Sequence, residues 1–283
     1  MEEKSSKFNF HSHCNFCDGI ASMEEFVQDA IGRGFDCYGI SSHAPIDFQT
    51  RWSKNQQHID VYLQDFFRLK EKYQTKIELY LGLEIDYVVD GKDIYFQRYK
   101  SLPLDYRIGS LHYMDLLNGK HWNVGASFEI YNSALNELYG GSLKKMIERY
   151  FELTVEMIEN CQFDIVGHLD KITDNAECFF SEEMDNLMPW YLSMFDEVLQ
   201  VVKRKGVILE VNTKKFLTKK RTFVHFRHLK RMKDLGIPVM VNSDCHNPML
   251  MEEGLSEAYF ALKENGYRTV RVLRDGKWSD VEF

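Results

Sequence analysis

No apolar run in the sequence approaches the ~18 residues that a membrane helix needs; the longest candidate, Leu79 to Val89, is broken by Glu84 and Asp86. A membrane-spanning protein is therefore not expected. The first residues, Met-Glu-Glu-Lys-Ser-Ser-Lys, lack the apolar core of a secretion signal, so the six cysteines are expected to stay reduced in a cytoplasmic protein. Cys14 and Cys17 form a CxxC with no second pair to complete a four-thiolate zinc site, and they read as small packing residues. A Gly-rich phosphate loop of the GxGxxG or GxxxxGKS type is also missing after the first strand, which argues against a nucleotide-cofactor fold. Positive charge is short as well. With 43 acidic against 35 basic residues the net charge is -8, which argues against a nucleic-acid partner held by phosphate contacts. Any anionic ligand needs local positive charge. No linker, low-complexity stretch or internal repeat divides the chain, so residues 1–283 read as one domain.

What is present is a globular balance, 44% hydrophobic and 28% charged, arranged as short β-rich runs alternating with helical patterns. Strands are predicted at Phe8–His13, Cys37–Ser42, Lys76–Tyr87, Tyr106–His112, Phe163–Gly167, Val207–Val211 and Pro238–Asn242. Helices are predicted from Ser22, whose capping box closes on Glu25, to Arg33, and at His58–Tyr73, Ile94–Ser101, Ser142–Asn160, Met184–Lys205, Phe223–Leu235 and Glu252–Glu264. The stretch from His112 to Gly141, rich in glycine, reads as an irregular, mobile loop, and Asp275-Gly276 as the turn of a terminal hairpin. Seven alternating units imply a parallel sheet and fit a closed or nearly closed barrel better than an open sheet.

The ionisable residues follow the strand ends. His11 and His13 close the first strand, His43 follows the second, Glu84 lies in the third, His112 and His168 end the fourth and fifth, and Asp244 and His246 follow the last. In a parallel barrel those ends meet on one face, where active sites are built, and Asp18 could join them from the loop after the first strand. Alternation points both rings of His11-x-His13 to one side of a strand, so one metal can take both; Asp244-x-His246 repeats the device with a carboxylate. Burying so many titratable groups without a cation is costly, whereas divalent metals use neutral imidazole and ionised carboxylate directly. Six histidines and three acids exceed one ion's coordination, so two to three ions are expected, and nitrogen and oxygen ligands suit Zn, Mn or Fe alike. Clustered metals can clamp phosphate oxygens and activate water, the logic of phosphoester hydrolysis. The cluster Lys214, Lys215, Lys219, Lys220, Arg221 follows the sixth strand at the same end. Arg221 is the chosen phosphate contact, with Lys220 and Lys215 as alternatives. His58, His121, His225 and His228 read as structural, and Met184, Met188, Trp190, Tyr191 and Met194 as core.

The segments Phe-Asn-Phe-His-Ser-His, Ile-Ser-Ser-His-Ala-Pro, Gly-Leu-Glu-Ile-Asp-Tyr, Ile-Gly-Ser-Leu-His-Tyr, Asp-Ile-Val-Gly-His-Leu-Asp and Val-Asn-Ser-Asp-Cys-His lie in order within residues 8 to 248. They resemble the ordered motifs of the polymerase and histidinol phosphatase (PHP) superfamily. That resemblance implies a distorted seven-stranded β/α barrel, similar to a TIM barrel, with a trinuclear metal site. It implies that His11, His13, Glu84 and Asp244 hold one metal, that Glu84 bridges to a second held by His112 and His168, and that Asp18, His43 and His246 hold a third. Asp244, Glu84 and His246 are the catalytic candidates. Two departures stand out: Asp18 replaces the His that many relatives carry, and Lys214-Lys215 replaces a Gly-Gly or Ser-Gly.

Within the superfamily, the length and the segment Ser-Leu-Pro-Leu-Asp-Tyr-Arg-Ile-Gly-Ser-Leu-His-Tyr resemble the monofunctional histidinol-phosphate phosphatases. This implies hydrolysis of L-histidinol phosphate, a step of histidine biosynthesis, by a metal-bound hydroxide. The alternatives are a phosphoesterase for another small phosphate or nucleotide, and a non-catalytic metal-stabilised domain.

Overall fold

The computed structural model describes residues 6–48, 50, 58–89, 91, 93–176 and 183–283, with only the backbone for 183–188. Seven parallel strands form one sheet in the order β1 (Phe8–Asn9), β2 (Cys37–Ile40), β3 (Glu78–Asp86), β4 (Tyr106–Ser110), β7 (Ile165–Val166), β8 (Ile208–Asn212) and β9 (Val239–Asn242). A parallel bridge between Ser12 and Cys245 brings the last strand back to the first, so the sheet is a nearly closed barrel. The seam is stitched by side chains rather than by a continuous ladder. Phe10 N donates to Asn242 Oδ1 at 2.7 Å and Ser243 N to Asn9 Oδ1 at 2.7 Å. These amide side chains take over ladder positions, so β1 is shorter than the predicted Phe8–His13 and the barrel is distorted there.

Helices cover the outside. α1 (Met23–Gly32) begins at the predicted capping box, with Ser22 N donating to Glu25 Oε2 and Glu25 N to Ser22 Oγ. α2 (His58–Tyr73) and α3 (Ile94–Arg98) complete the next two crossovers. The stretch 113–139 corrects the sequence reading of an irregular loop. It is a hairpin of β5 (Tyr113–Leu117) and β6 (Lys120–Asn123), followed by α4 (Phe128–Tyr139). Asn118 and Gly119 both carry positive φ, the requirement of a two-residue hairpin turn, so the glycine signal was a turn and not disorder. α5 (Leu143–Asn160), α6 (Thr173–Ala176) and α7 (Glu183–Lys205) follow. The predicted helix Phe223–Leu235 is shorter than expected. Phe223 pairs with Asn212 in an antiparallel bridge, so after α8 (Phe216–Lys219) and a 3-10 turn at Phe226–His228 only α9 (Leu229–Asp234) is α-helical. The chain ends with α10 (Leu255–Glu264) and the expected hairpin β10 (Thr269–Arg274) and β11 (Lys277–Glu282).

That hairpin closes the N-terminal end of the barrel. Asp275 N donates to Glu78 Oε2 at the start of β3, and Trp278 packs against Phe10 with ring centroids 6.3 Å apart. Above it Tyr106 fills the interior and donates its hydroxyl to Phe10 O at 2.6 Å. The ring occupies space left by two strand glycines: a Cβ on Gly82 would stand 2.4 Å from Tyr106 Cζ, and one on Gly39 2.3 Å from its hydroxyl oxygen. Of the structural histidines, His58 is exposed, His121 stacks on Phe48 and His225 is half-buried beside Asp170. Tyr191 is buried and Trp190 and Met194 pack on the core, whereas the side chains of Met184 and Met188 lie outside the described residues.

Two outcomes are expected. Gly82→Ala should destabilise by about 1–3 kcal/mol through overpacking, and its cost should be sub-additive with Tyr106→Leu in a denaturation cycle. Additive costs would show that the ring is not what excludes the Cβ. His228 is buried, stacked on Phe195 at 4.0 Å, and burial with His225 and Arg227 nearby lowers its pKa to about 3. The unfolded chain takes up this proton near pH 6.5 and the folded chain does not, so stability should fall as pH drops from about 6.5 toward 3. His228→Leu should flatten that slope between about pH 6.5 and 5; an unchanged slope in urea titrations would refute it.

Candidate metal centre

The C-terminal end of the barrel gathers all nine candidate side chains into one cluster with Glu84 at its base. Glu84, near the C-terminal end of β3 and 1% exposed, has five imidazoles about it. Its Oε2 lies 2.9 Å from His43 Nδ1 and 3.4 Å from the Nε2 atoms of both His11 and His13. Its Oε1 lies 2.9 Å from His168 Nε2 and 3.6 Å from His112 Nε2, and accepts from Ser110 Oγ at 2.6 Å. Asp244 Oδ1 stands 3.2 Å from His13 Nε2 and 3.7 Å from His11 Nε2. At the rim Asp18 Oδ1 is 3.2 Å from His246 Nε2 and 3.9 Å from His43 Nε2. His168 and Asp244 leave their strands at φ of 24° and 47°, where L side chains are rarely found; both outliers sit at the cluster.

Three groups have ligand atoms within 4.8 Å of one another: His11, His13 and Glu84; His43, Glu84 and His112; and His13, Asp18, His43 and His246. The geometry thus places His43 with both Glu84 and Asp18, whereas the resemblance assigned it to the third metal alone. The donor set fits divalent ions on a physical test. Among the described residues, His11 Nε2, His13 Nε2 and Asp18 Oδ1 are buried without a hydrogen-bond partner, which is costly unless a cation takes the lone pairs.

The outward ring nitrogens are held by groups that sequence reasoning missed. Glu210 on β8 accepts from His11 Nδ1 at 2.6 Å, His168 N at 2.9 Å, and the side-chain amides of Asn242 and Asn212 at 2.9 Å each. Asp86 holds His112 Nδ1 at 2.7 Å, and the Cys17 thiol stands 3.4 Å from His13 Nδ1. Glu210 and Asp86 alternate with the nonpolar residues of their strands, and that inward period was the available signal. Burial pushes the Cys14 and Cys17 thiols up, so both remain protonated packing residues.

Electrostatics separates the members. Burial would lower His11, but Glu210, Asp244 and Glu84 outweigh it and raise it well above the usual imidazole value. His13 goes the other way, lowered by burial and by His246 and His43. Burial also lowers His168, to about 4, with Lys171 adding to the effect. Burial opposes ionisation of Asp244, yet Lys214 and His11 hold it well below the carboxylate range.

Two lysine amines reach the cluster. Lys214 Nζ lies 3.0 Å from Asp244 Oδ1 and 3.4 Å from His246 Nε2, and Lys171 Nζ lies 3.4 Å from His168 Nε2. Lys171 was not singled out by sequence. Of the residues expected to meet phosphate, Arg221 is 5% exposed and bonds Thr173 Oγ1 at 2.8 Å with Asp170 at 3.8 Å. Lys215 pairs with Asp174 at 3.0 Å, and Lys220 lies over the Phe216 ring at 5.2 Å.

A parallel barrel with a multi-ligand centre at its C-terminal end is an architecture suited to metal-assisted hydrolysis. The PHP domain profile matches residues 9–214, and the chain belongs to that family. It is 25% identical over 279 residues to the histidinol-phosphatase of Lactococcus lactis, covering 95% of this chain and 94% of that one. A solved histidinol phosphate phosphatase from L. lactis, complexed with Zn, L-histidinol and phosphate, superposes with a TM-score of 0.73 at 22% identity, covering 97% and 99% of the two chains. A structure from Listeria monocytogenes assigned as a histidinol phosphatase gives 0.81 at 23% identity, covering 89% and 99%.

Glu210→Gln tests the support of the cluster. The amide would turn its NH2 toward two donors, so the variant should melt lower and bind metal about 10–100-fold more weakly in calorimetric titration. Wild-type metal affinity in a folded variant would remove Glu210 from this role.

Proposed function

We propose that this chain is a metal-dependent phosphomonoesterase that hydrolyses L-histidinol phosphate to L-histidinol and phosphate. The observation that carries the reading is the convergence of six imidazoles and three carboxylates, five of the imidazoles about Glu84, from the ends of six strands. His11, His13, Asp18, His43, Glu84, His112, His168, Asp244 and His246 would hold two to three divalent ions. When bound, such ions supply Lewis acidity to phosphate oxygens and lower the pKa of a water molecule.

The chain's own residues complete the chemistry. Asp244 stays ionised beside Lys214 and can accept a proton at Oδ1, while Oδ2 is held by Asn212 at 3.1 Å. Carboxylates raise the pKa of Lys214 against the opposing effect of burial, so it keeps its charge where a phosphate oxygen would sit. Lys171, lowered by burial and by Lys214, offers a second amine beside His168. Arg221, bonded to Thr173 Oγ1 with Asp170 at 3.8 Å, belongs to the same loop as Lys214 and would add a phosphate contact from it. His246, lowered by burial and Lys214, is neutral at the rim.

Purified protein should carry two to three equivalents of transition metal and hydrolyse histidinol phosphate, and chelation should abolish turnover. Full activity without metal would end the metal reading; turnover confined to other esters in a substrate panel would replace the substrate. Asp244→Asn should lower kcat at least about a hundredfold with the fold retained. Lys214→Ala should lower kcat/KM about 10–100-fold, the scale of one charge-assisted contact.

A further inference from the structure

The proposed hydrolysis leaves a neighbouring feature unused. A cavity of about 380 Å³ opens directly onto Asp244, His246 and Lys214. Its walls come from three loops at the same end of the barrel: Ile20 after β1, Leu217 on α8 and Leu250 after β9. These aliphatic side chains are 73%, 51% and 38% exposed, beside a charged and buried centre. Apolar surface lining a concavity next to a polar cluster is the ordinary composition of a small-molecule pocket.

One charged wall residue is uncommitted. Lys214 is engaged by Asp244 and Lys215 by Asp174. Glu252 turns away to pair with Lys7 and Arg33. Glu253 lines the cavity, and among the described residues its carboxylate takes no hydrogen bond or ion pair. Its backbone is fixed independently, because Thr213 Oγ1 donates to Glu253 O at 2.5 Å. An ester whose phosphate lies at the cluster must place its organic part in adjoining space, and this cavity suits an apolar body bearing one cationic nitrogen.

We propose that the cavity holds the alcohol portion of the substrate and that Glu253 sets specificity by pairing with its ammonium group. The inference rests on the phosphomonoesterase reading above, and it makes an amine-bearing ester such as histidinol phosphate preferred over an amine-free one. Thr213 bonds the backbone carbonyl, so Glu253→Gln leaves the loop anchored.

In metal-loaded enzyme, Glu253→Gln should raise KM for histidinol phosphate about 10–100-fold with little change in kcat. Its kcat/KM for p-nitrophenyl phosphate should stay within about twofold of wild type, and Glu253→Asp should recover part of the loss. Unchanged KM for histidinol phosphate, or an equal loss with both esters, overturns the role of Glu253 while leaving the hydrolase reading intact. If wild type cleaves phosphate esters but not histidinol phosphate, the substrate reading fails. The cavity is then judged by phosphoethanolamine against ethyl phosphate: a preference for the amine that disappears in Glu253→Gln supports it, and no preference refutes it.

Discussion

A single buried carboxylate sets the terms for this molecule. Glu84 sits near the C-terminal end of a barrel strand with imidazoles at 2.9 to 3.6 Å on both of its oxygens. Removing such a charge from water costs several kcal/mol, and the cost is met only when partners converge on it from several directions. Parallel strands provide that convergence, because their C-terminal ends deliver side chains from remote parts of the chain to one face. The terminal hairpin and Tyr106 fill the opposite end, so the polar cluster and the apolar interior do not compete for the same space.

The distortion of the barrel and the construction of the centre are one phenomenon. Asn9 and Asn242 replace ladder bonds at the seam, while Asn242 and Asn212 also donate to Glu210, which grips His11. Side chains that would otherwise be redundant with backbone pairing thereby orient the histidines. The positive φ of His168 and Asp244 belongs to the same pattern: backbone that leaves the strand early turns these groups inward.

The lysine nearest the centre of this acidic protein belongs to a basic run whose members take different partners. Lys214 is drawn in by Asp244, whereas Lys215 and Lys219 are taken by Asp174 and Arg221 by Asp170 and Thr173. Adjacent residues on one short loop point to different carboxylates, so their separate roles are set by acids contributed from the loops after β7 and β9.

The alternation of strands and helices, the capping box at Ser22, the terminal Asp275-Gly276 turn and the placement of nine ionisable residues at strand ends were all legible in sequence, because each rests on local periodicity or backbone chemistry. The hairpin after His112 was misread because Asn118-Gly119 was counted with a diffuse glycine signal. The missed partners have a different cause. Glu210 and Asp86 look like ordinary strand residues until the barrel closes and aims them at His11 and His112. Which lysine faces the centre was likewise settled only by burial and by the acids that the folded loops bring within reach. Local patterns determined what this chain could place at its strand ends; only tertiary closure decided which groups met there, since hydrogen bonds and ion pairs depend on distances that no spacing along the chain encodes.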